Sequence, residues 1–262
     1  MRLVGCDLPL HAPRDEYRAV VERIKRDDRA VGALITTHKI DLFEACRDMF
    51  DAVDEYAELC EEASCLGRRA AALHAFATDP ISSARALDEF YRAEDGAEVL
   101  CLGGGGSATA ITVRLVQGRF AGRITVVDKS PERLARIRAV HQRLDPASDI
   151  RFVLSVGAGD NDRLVTGLTP GSLVINATGM GKDLPGSPIT DVAVFPEGGY
   201  AWDLNYRGDL EFVRQARAQA VHVEDGWRYF IHGWAVVIGR AFDIEIDAEK
   251  TARMAAIAET AR

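Results

Sequence analysis

Along most of this chain, short apolar runs alternate with stretches of helical periodicity. Val99–Leu102 is apolar throughout, Gly103–Gly106 breaks the run, and a helical pattern follows through Leu115. A second apolar run, Ile124–Val127, ends in Asp128. The order predicted is strand, tight turn, helix, strand. Upstream, Leu3–Cys6 predicts a short strand, and Tyr17, Val20, Val21 and Ile24 place a helix over residues 15–26. Gly32–Thr37 predicts a buried strand and Ile40–Tyr56 a second helix. Residues 66–77 predict a hairpin turning at Gly67–Arg69, Ile81–Tyr91 a helix, and Arg92–Gly96 an acidic linker.

Downstream the same alternation continues. Pro131–Leu144 is a predicted helix capped by Ser130, its many arginines a solvated face. Strands are expected at Ile150–Ser155, Ser172–Ala177, Tyr200–Leu204 and Val221–Glu224, and helices at Leu210–Ala220, Trp227–Phe242 and Ala248–Arg262. Strands alternating with helices imply an α/β fold with all-parallel sheet geometry. Residues 81–225 are expected to form a Rossmann-type cofactor domain. Residues 1–80 with 226–262 are expected to form a smaller α/β substrate domain, with a cleft between the two. The Trp227, Phe230 and Trp234 stripe reads as core packing, and no internal repeat interrupts the pattern.

The glycine run changes the picture from fold to function, because strand–Gly loop–helix–strand–acid is the order of a dinucleotide-binding unit. Gly103 permits the tight turn, Gly105 lets the backbone approach a pyrophosphate, and Ala108 fills the small third position. The helix start at Gly106 and Ser107 offers free N–H groups and a positive dipole end to the phosphates. Asp128, 25 residues after Gly103, is placed to accept hydrogen bonds from an adenine ribose. An acid there repels a 2′-phosphate, which points to NAD as cofactor over NADP. Lys129 beside it weakens that preference.

Composition narrows the class further. The 262 residues carry a formal charge of −8, against a general nucleic-acid binder. No apolar run approaches the ~20 residues of a membrane-spanning helix, and MRLVGCDLPLHAP does not read as a signal peptide. A cytoplasmic protein without membrane or nucleic-acid partners is expected, as monomer or homodimer. Cys6, Cys46, Cys60, Cys65 and Cys101 are scattered within mostly apolar patterns, as reduced core thiols are. No metal site is expected.

Outside the glycine loop, Lys39 follows a strand end in TTHK and Asp79 precedes a helix in FATD. NATGMG (176–181) and DLNY (203–206) each follow a strand at the sheet's carboxyl edge. A lysine and an aspartate brought together can move a proton while a nicotinamide moves a hydride.

These segments, in order from about Gly32, resemble the shikimate dehydrogenases. GALITTHK resembles the family's V-T-x-P-x-K segment, and ASC followed by ATD its V-N-T and N-T-D pair. GGGGSA resembles G-A-G-G, VINATGMG resembles I-N-A-T-x-x-G-M, DLNY resembles D-x-x-Y, and DGWRYFIHG resembles D-G-x-x-M-L-x-x-Q. The resemblance implies Lys39 and Asp79 as catalytic pair. Cofactor contacts are implied at the glycine loop and at Asn176, Ala177, Thr178, Gly179, Met180 and Leu204, with Met180 beside the nicotinamide. Substrate contacts are implied at Thr37, Ser64, Tyr206 and His232.

The departures fall on the substrate-holding positions. No serine precedes Ser64, so the family's Ser-x-Ser-Pro segment is expected to be missing. Ser64 stands for an asparagine, Gly233 for a glutamine, and Asp128 for the N-R-T segment that reads an NADP phosphate. The expectation is hydride transfer between NAD and a small carboxylated alicyclic alcohol or ketone of changed identity. The alternative is a catalytically silent protein that senses a dinucleotide or metabolite. The one-carbon motifs of methylenetetrahydrofolate dehydrogenases, a further lysine-centred family, are not visible.

Overall fold

The computed structural model describes residues 2–182 and 184–260. Its contacts divide the chain into two compact units. One comprises the residues up to Thr78 with Trp234–Lys250; the other comprises Asp79–Gly233 with the chain from Thr251. The sequence expectation placed the joins at residues 80 and 226.

The first unit begins without the expected strand at Leu3–Cys6. That segment has no regular secondary structure among the described residues, and its apolar side chains are exposed. Helix α1 (Arg14–Arg26) follows, burying Tyr17 and Val21. Strand β1 (Gly32–Leu34) is shorter than expected and only half-buried. The helix expected over 40–56 is divided into α2 (Lys39–Cys46), a 3-10 turn (Arg47–Met49), β2 (Ala52–Val53) and α3 (Glu55–Cys60). The division has a local cause. The Asp51 backbone N–H donates to Leu73 O at 2.9 Å, drawing the chain into a sheet. Asp54 then starts α3 as N-cap, its Oδ1 accepting from the Ala57 N–H at 2.7 Å.

Strands β3 (Cys65–Arg69) and β4 (Ala72–Phe76) form the expected hairpin. Gly67–Arg69 lies within β3 instead of turning; the turn sits at Ala70, whose φ is 54°. The sheet order is β1-β3-β4-β2, with antiparallel β1/β3 and β3/β4 pairs and a parallel β2/β4 pair. The all-parallel expectation therefore fails in this unit. Tyr17, Leu42, Phe43, Cys46, Leu66 and Leu73 fill its core.

The second unit opens with α4 (Asp79–Phe90) and then β5 (Val99–Leu102), α5 (Gly106–Gln117), β6 (Ile124–Asp128), α6 (Pro131–Leu144) and β7 (Ile150–Leu154). Helix α7 (Ala158–Thr166), which the apolar pattern did not predict, precedes β8 (Leu173–Asn176) and β9 (Tyr200–Asp203). Helix α8 (Glu211–Arg217), β10 (His222–Glu224), α9 (Trp227–Phe242) and α10 (Ala248–Glu259) complete the chain. The end of the expected terminal helix, residues 261–262, lies outside the described residues.

All pairs in the six-stranded sheet are parallel, in the order β10-β9-β8-β5-β6-β7. Strand alternation sends Val99 and Cys101 into one apolar layer, with Ile111, Ile137 and Trp202. Leu100 and Leu102 enter the other, with Val174, Phe195 and Phe212. The chain winds outward from β5 to β7, then returns to β8 on β5's other side. That reversal is the topological switch point of a doubly wound sheet, where such folds bind ligands.

Candidate functional site

The switch point is lined by the residues that follow β5 and β8. Gly103 has φ 110°, and a Cβ there would stand 2.6 Å from Ala177 O. Only glycine lets the two loops come this close. The Gly103 N–H donates to Val127 O at 2.7 Å, and the Ala177 N–H donates to Leu102 O at 2.7 Å. Gly105 differs, since an added Cβ would meet no atom within 4 Å. Open space therefore lies ahead of the first N–H groups of α5, as an anion approaching a helix N-terminus needs. Ala108 is fully buried behind the loop, the small residue its helix–strand contact requires.

Asp128 is buried, and its carboxylate is committed to the loop. Oδ2 accepts from the Gly104 N–H at 2.7 Å and Oδ1 from the Ser130 N–H at 2.8 Å. Arg133 Nη1 lies 3.9 Å from Oδ2 on a side chain that is 60% exposed. Lys129 is exposed alongside. An exposed arginine thus borders a carboxylate already engaged by backbone amides, with an exposed lysine next to it in the chain. Arg133 was assigned only to a solvated helix face in the sequence; nothing in its periodicity marks a contact with a strand end.

At the ends of β8 and β9, Asn176 and Asp203 are register partners and both fully buried. Asn176 Nδ2 donates to Asp203 Oδ2 at 3.1 Å and to Met180 O at 3.2 Å. Its Oδ1 accepts from Thr178 N at 3.1 Å and Thr178 Oγ1 at 2.7 Å. Thr178 Oγ1 in turn accepts from Met180 N at 3.1 Å. Asn205, which the sequence reading passed over, donates its backbone N–H to Asp203 Oδ1 at 2.8 Å and its Nδ2 to Met180 O at 2.9 Å. Burial pushes the Asp203 carboxyl up to about 6; amides from Asn205 and Asn176 lower it, and the Asp225 charge raises it further. Asn176 thus acts inside the loop, while Thr178, Gly179 and Met180 are only partly buried. Leu204 donates its N–H to Asn176 O at 3.0 Å, tying the next strand end to the same loop.

Tyr206 packs with tilted ring planes against Phe230 (4.5 Å between ring centroids) and Trp227 (5.7 Å). His232 is buried, and its Nε2–H donates to Glu89 at 2.8 Å. Burial acts to raise the Glu89 carboxyl, but hydrogen bonds from Arg228 and His232 hold it below its ordinary value. Glu89 was visible in sequence only as a polar helix position.

In the first unit, Lys39 is the first residue of α2 and partly buried, and Thr37 before it is exposed. Lys39 O accepts from the Ala63 N–H at 3.0 Å, and the Ile35 N–H donates to Ser64 O at 2.9 Å. The Ser64 hydroxyl is buried, paired with Thr78 Oγ1 at 2.9 Å and accepting from Thr78 N at 2.7 Å. Asp79, where the second unit begins, follows Thr78 in the chain and is buried at the start of α4. Beside Lys39, His38 Nδ1 meets the hydroxyl of buried Tyr17 at 3.0 Å. Asp41 Oδ2 accepts from Tyr17 at 3.4 Å and pairs with exposed His11 at 3.1 Å. Burial, then Asp41, raises the Tyr17 hydroxyl above its ordinary value. Tyr17 read as one more apolar helix position, so its polar end was invisible in the pattern.

No protein-family model matches the chain. A shikimate dehydrogenase (NADP(+)) of Streptococcus gordonii is 30% identical over 226 residues, covering 84% of this chain and 74% of that protein. Relatives from Symbiobacterium thermophilum and Methanothrix thermoacetophila carry the same name. Among solved structures, the shikimate 5-dehydrogenase of Thermus thermophilus in complex with NADP(H) and shikimate superposes with a TM-score of 0.69 at 22% identity. It covers 96% of this chain and 86% of its own. Quinate dehydrogenase from Corynebacterium glutamicum in complex with NAD gives 0.74 at 20% identity, with 99% and 85% covered. At these identities the structures speak for the fold alone.

The expected preference for NAD over NADP is overturned by the curated relatives, which are named for NADP(+). The geometry supplies a physical reason. An acid at this position selects against a 2′-phosphate when its carboxylate is free to face the ribose, whereas both Asp128 oxygens are held by loop amides with Arg133 alongside. Among the described residues no group of three or more His, Cys, Asp or Glu could hold a metal ion, and no helix is long and apolar enough to cross a membrane.

Proposed function

The chain belongs to the shikimate dehydrogenase family, and from that membership we propose that it is an NADP-dependent dehydrogenase. Its substrate would be a small carboxylated alicyclic alcohol, or the corresponding ketone. The observation that carries this reading is the glycine loop at the switch point, open at Gly105 and bordered by Arg133 and Lys129.

The residues present fit the dinucleotide. Backbone N–H groups at Gly105–Ser107 would hold the pyrophosphate, and the Arg133 and Lys129 cations the 2′-phosphate. The Thr178–Met180 loop would receive the nicotinamide end. When bound, NADP supplies the acceptance or return of a hydride. Lys39 is assigned the proton: its ammonium polarises or protonates a carbonyl oxygen, and its neutral amine removes the proton of an alcohol. Asp79 is assigned the orienting carboxylate. Thr37 and Tyr206 are assigned substrate hydroxyl contacts. Ser64 and His232 are assigned supporting positions, since their polar atoms are engaged by Thr78 and Glu89.

Titration of the protein with NADP and NAD, for the wild type and Arg133→Ala, tests this reading. Wild type is expected to bind NADP more tightly. Arg133→Ala is expected to lose about tenfold in NADP affinity, the scale of one charge-assisted contact, with NAD binding little changed. A wild type that binds neither dinucleotide refutes the reading. An equal loss for both would remove Arg133 from the 2′-phosphate.

A further inference from the structure

We propose that Asp203 is a positioning residue: acting through Asn176 and Asn205, it fixes the backbone of Met180 where the cofactor's nicotinamide end is received. The proposal rests on the dinucleotide reading above and adds a residue to it.

An amide side chain can sit either way round, and only its surroundings decide which end is NH2. A carboxylate accepts and does not donate. Facing Asp203 Oδ2, Asn176 must therefore turn its Nδ2 inward, which leaves Oδ1 for the two Thr178 donors. Reversed, the amide would set N–H against both Thr178 donors and leave an oxygen against the carboxylate. Asp203 Oδ1 fixes the second arm in the same way, by taking the Asn205 backbone N–H. Both amides converge on one atom, Met180 O, at 3.2 and 2.9 Å.

The loop requires such holding. Gly179 and Gly181 flank Met180 at φ 76° and 90°, in conformations that only glycine adopts freely. The carboxylate is an expensive way to hold it. It is fully buried, its hydrogen bonds come from amides rather than a cation, and the neighbouring charge is that of Asp225, which opposes it. Asp225, in the turn before α9, is itself engaged by the Trp227 N–H at 2.9 Å. Protonation would turn one acceptor oxygen into a donor and release one of the two arms. The carboxyl's displacement to about 6 places that event within the accessible pH range.

The test is the dissociation constant for NADP, measured by fluorescence titration of the full chain from about pH 5 to pH 8, with circular dichroism as a fold check. The 2′-phosphate itself titrates near 6, so the quantity read is the ratio of variant to wild type at each pH. Asp203→Asn is expected to bind NADP about tenfold more weakly at pH 8, with the ratio falling toward one as the wild type protonates below pH 6. The exchange Asn176→Asp with Asp203→Asn, which restores one donor facing one acceptor, is expected to recover part of the loss. A folded Asp203→Asn protein with a ratio near one throughout overturns the proposal. If Asp203→Asn fails to fold, Asn205→Ala removes one arm and leaves the carboxylate; several-fold weaker NADP binding supports the proposal and unchanged binding overturns it. A wild type that binds no NADP overturns the dinucleotide reading instead, a separate result.

Discussion

His141 is buried on α6, and among the described residues its ring meets one polar group, Nε2 to Thr112 Oγ1 on α5 at 2.8 Å. Thr112 Oγ1 already donates to Ala108 O at 2.8 Å, so the imidazole is the donor in this pair and its Nδ1 carries no proton. Nδ1 is buried and has no hydrogen-bond partner among the described residues, so charging the ring would bury an unpaired donor. Burial accordingly depresses the group from 6.5 to about 4. The neutral ring's contribution is present above pH 6.5 and is lost as pH falls toward 4, to the extent of about 3 kcal/mol. Asp203 runs the opposite way: with its carboxyl raised from 3.8 to about 6, its contribution is present below 3.8 and lost as pH rises through 6. Urea midpoints of wild type and His141→Leu should therefore be compared at each pH. The wild type is expected to lose more stability between pH 6.5 and 4 than the variant; parallel curves would refute the assignment. Neither effect is legible in the sequence, because a histidine in a helical pattern says nothing of the atom its ring faces.

Among the elements, the strand–loop–helix turn separates two demands that glycine serves. At Gly103 the protein itself forbids a side chain, through a positive φ and the approach of Ala177 O. At Gly105 nothing in the protein forbids one. Gly103→Ala is expected to cost about 1–3 kcal/mol of stability, while Gly105→Ala leaves the thermal midpoint unchanged and weakens dinucleotide binding. Differential scanning calorimetry with and without NADP distinguishes them; a destabilised Gly105→Ala protein with intact binding would contradict the account. The sequence showed this unit well, since each strand from β5 to β9 is a nearly continuous apolar run between polar breaks. It showed the first unit poorly. The run 40–56 has a helical apolar spacing, and only the tertiary bond from Asp51 to Leu73 and the cap at Asp54 show where it breaks. Leu3–Cys6 has a strand's composition but no partner strand among the described residues, and α7 carries too few apolar positions to announce itself.

At the scale of the whole molecule, family and α/β architecture were readable because motifs recurred in order around a parallel sheet. The cofactor preference was misread for a reason confined to one side chain. An acid at the end of β6 carries information about the ribose only if it is free, and Asp128 is held by Gly104 and Ser130. The sequence departs most from the family pattern where the family holds its substrate, at Ser64, at Gly233 and in the serine-free chain before Ser64, so under the proposed function the alcohol is where this protein should differ from its relatives. Under the proposed function the chain would oxidise such an alcohol with NADP, using Lys39 for the proton. The most direct test is the initial rate of NADPH formation, by absorbance, across a panel of carboxylated alicyclic alcohols that includes shikimate and quinate. Turnover of at least one compound by the wild type is expected, reduced ~10²–10⁴-fold in Lys39→Ala with NADP affinity intact. Tight NADP binding with no turnover of any compound, or full turnover by Lys39→Ala, would contradict it.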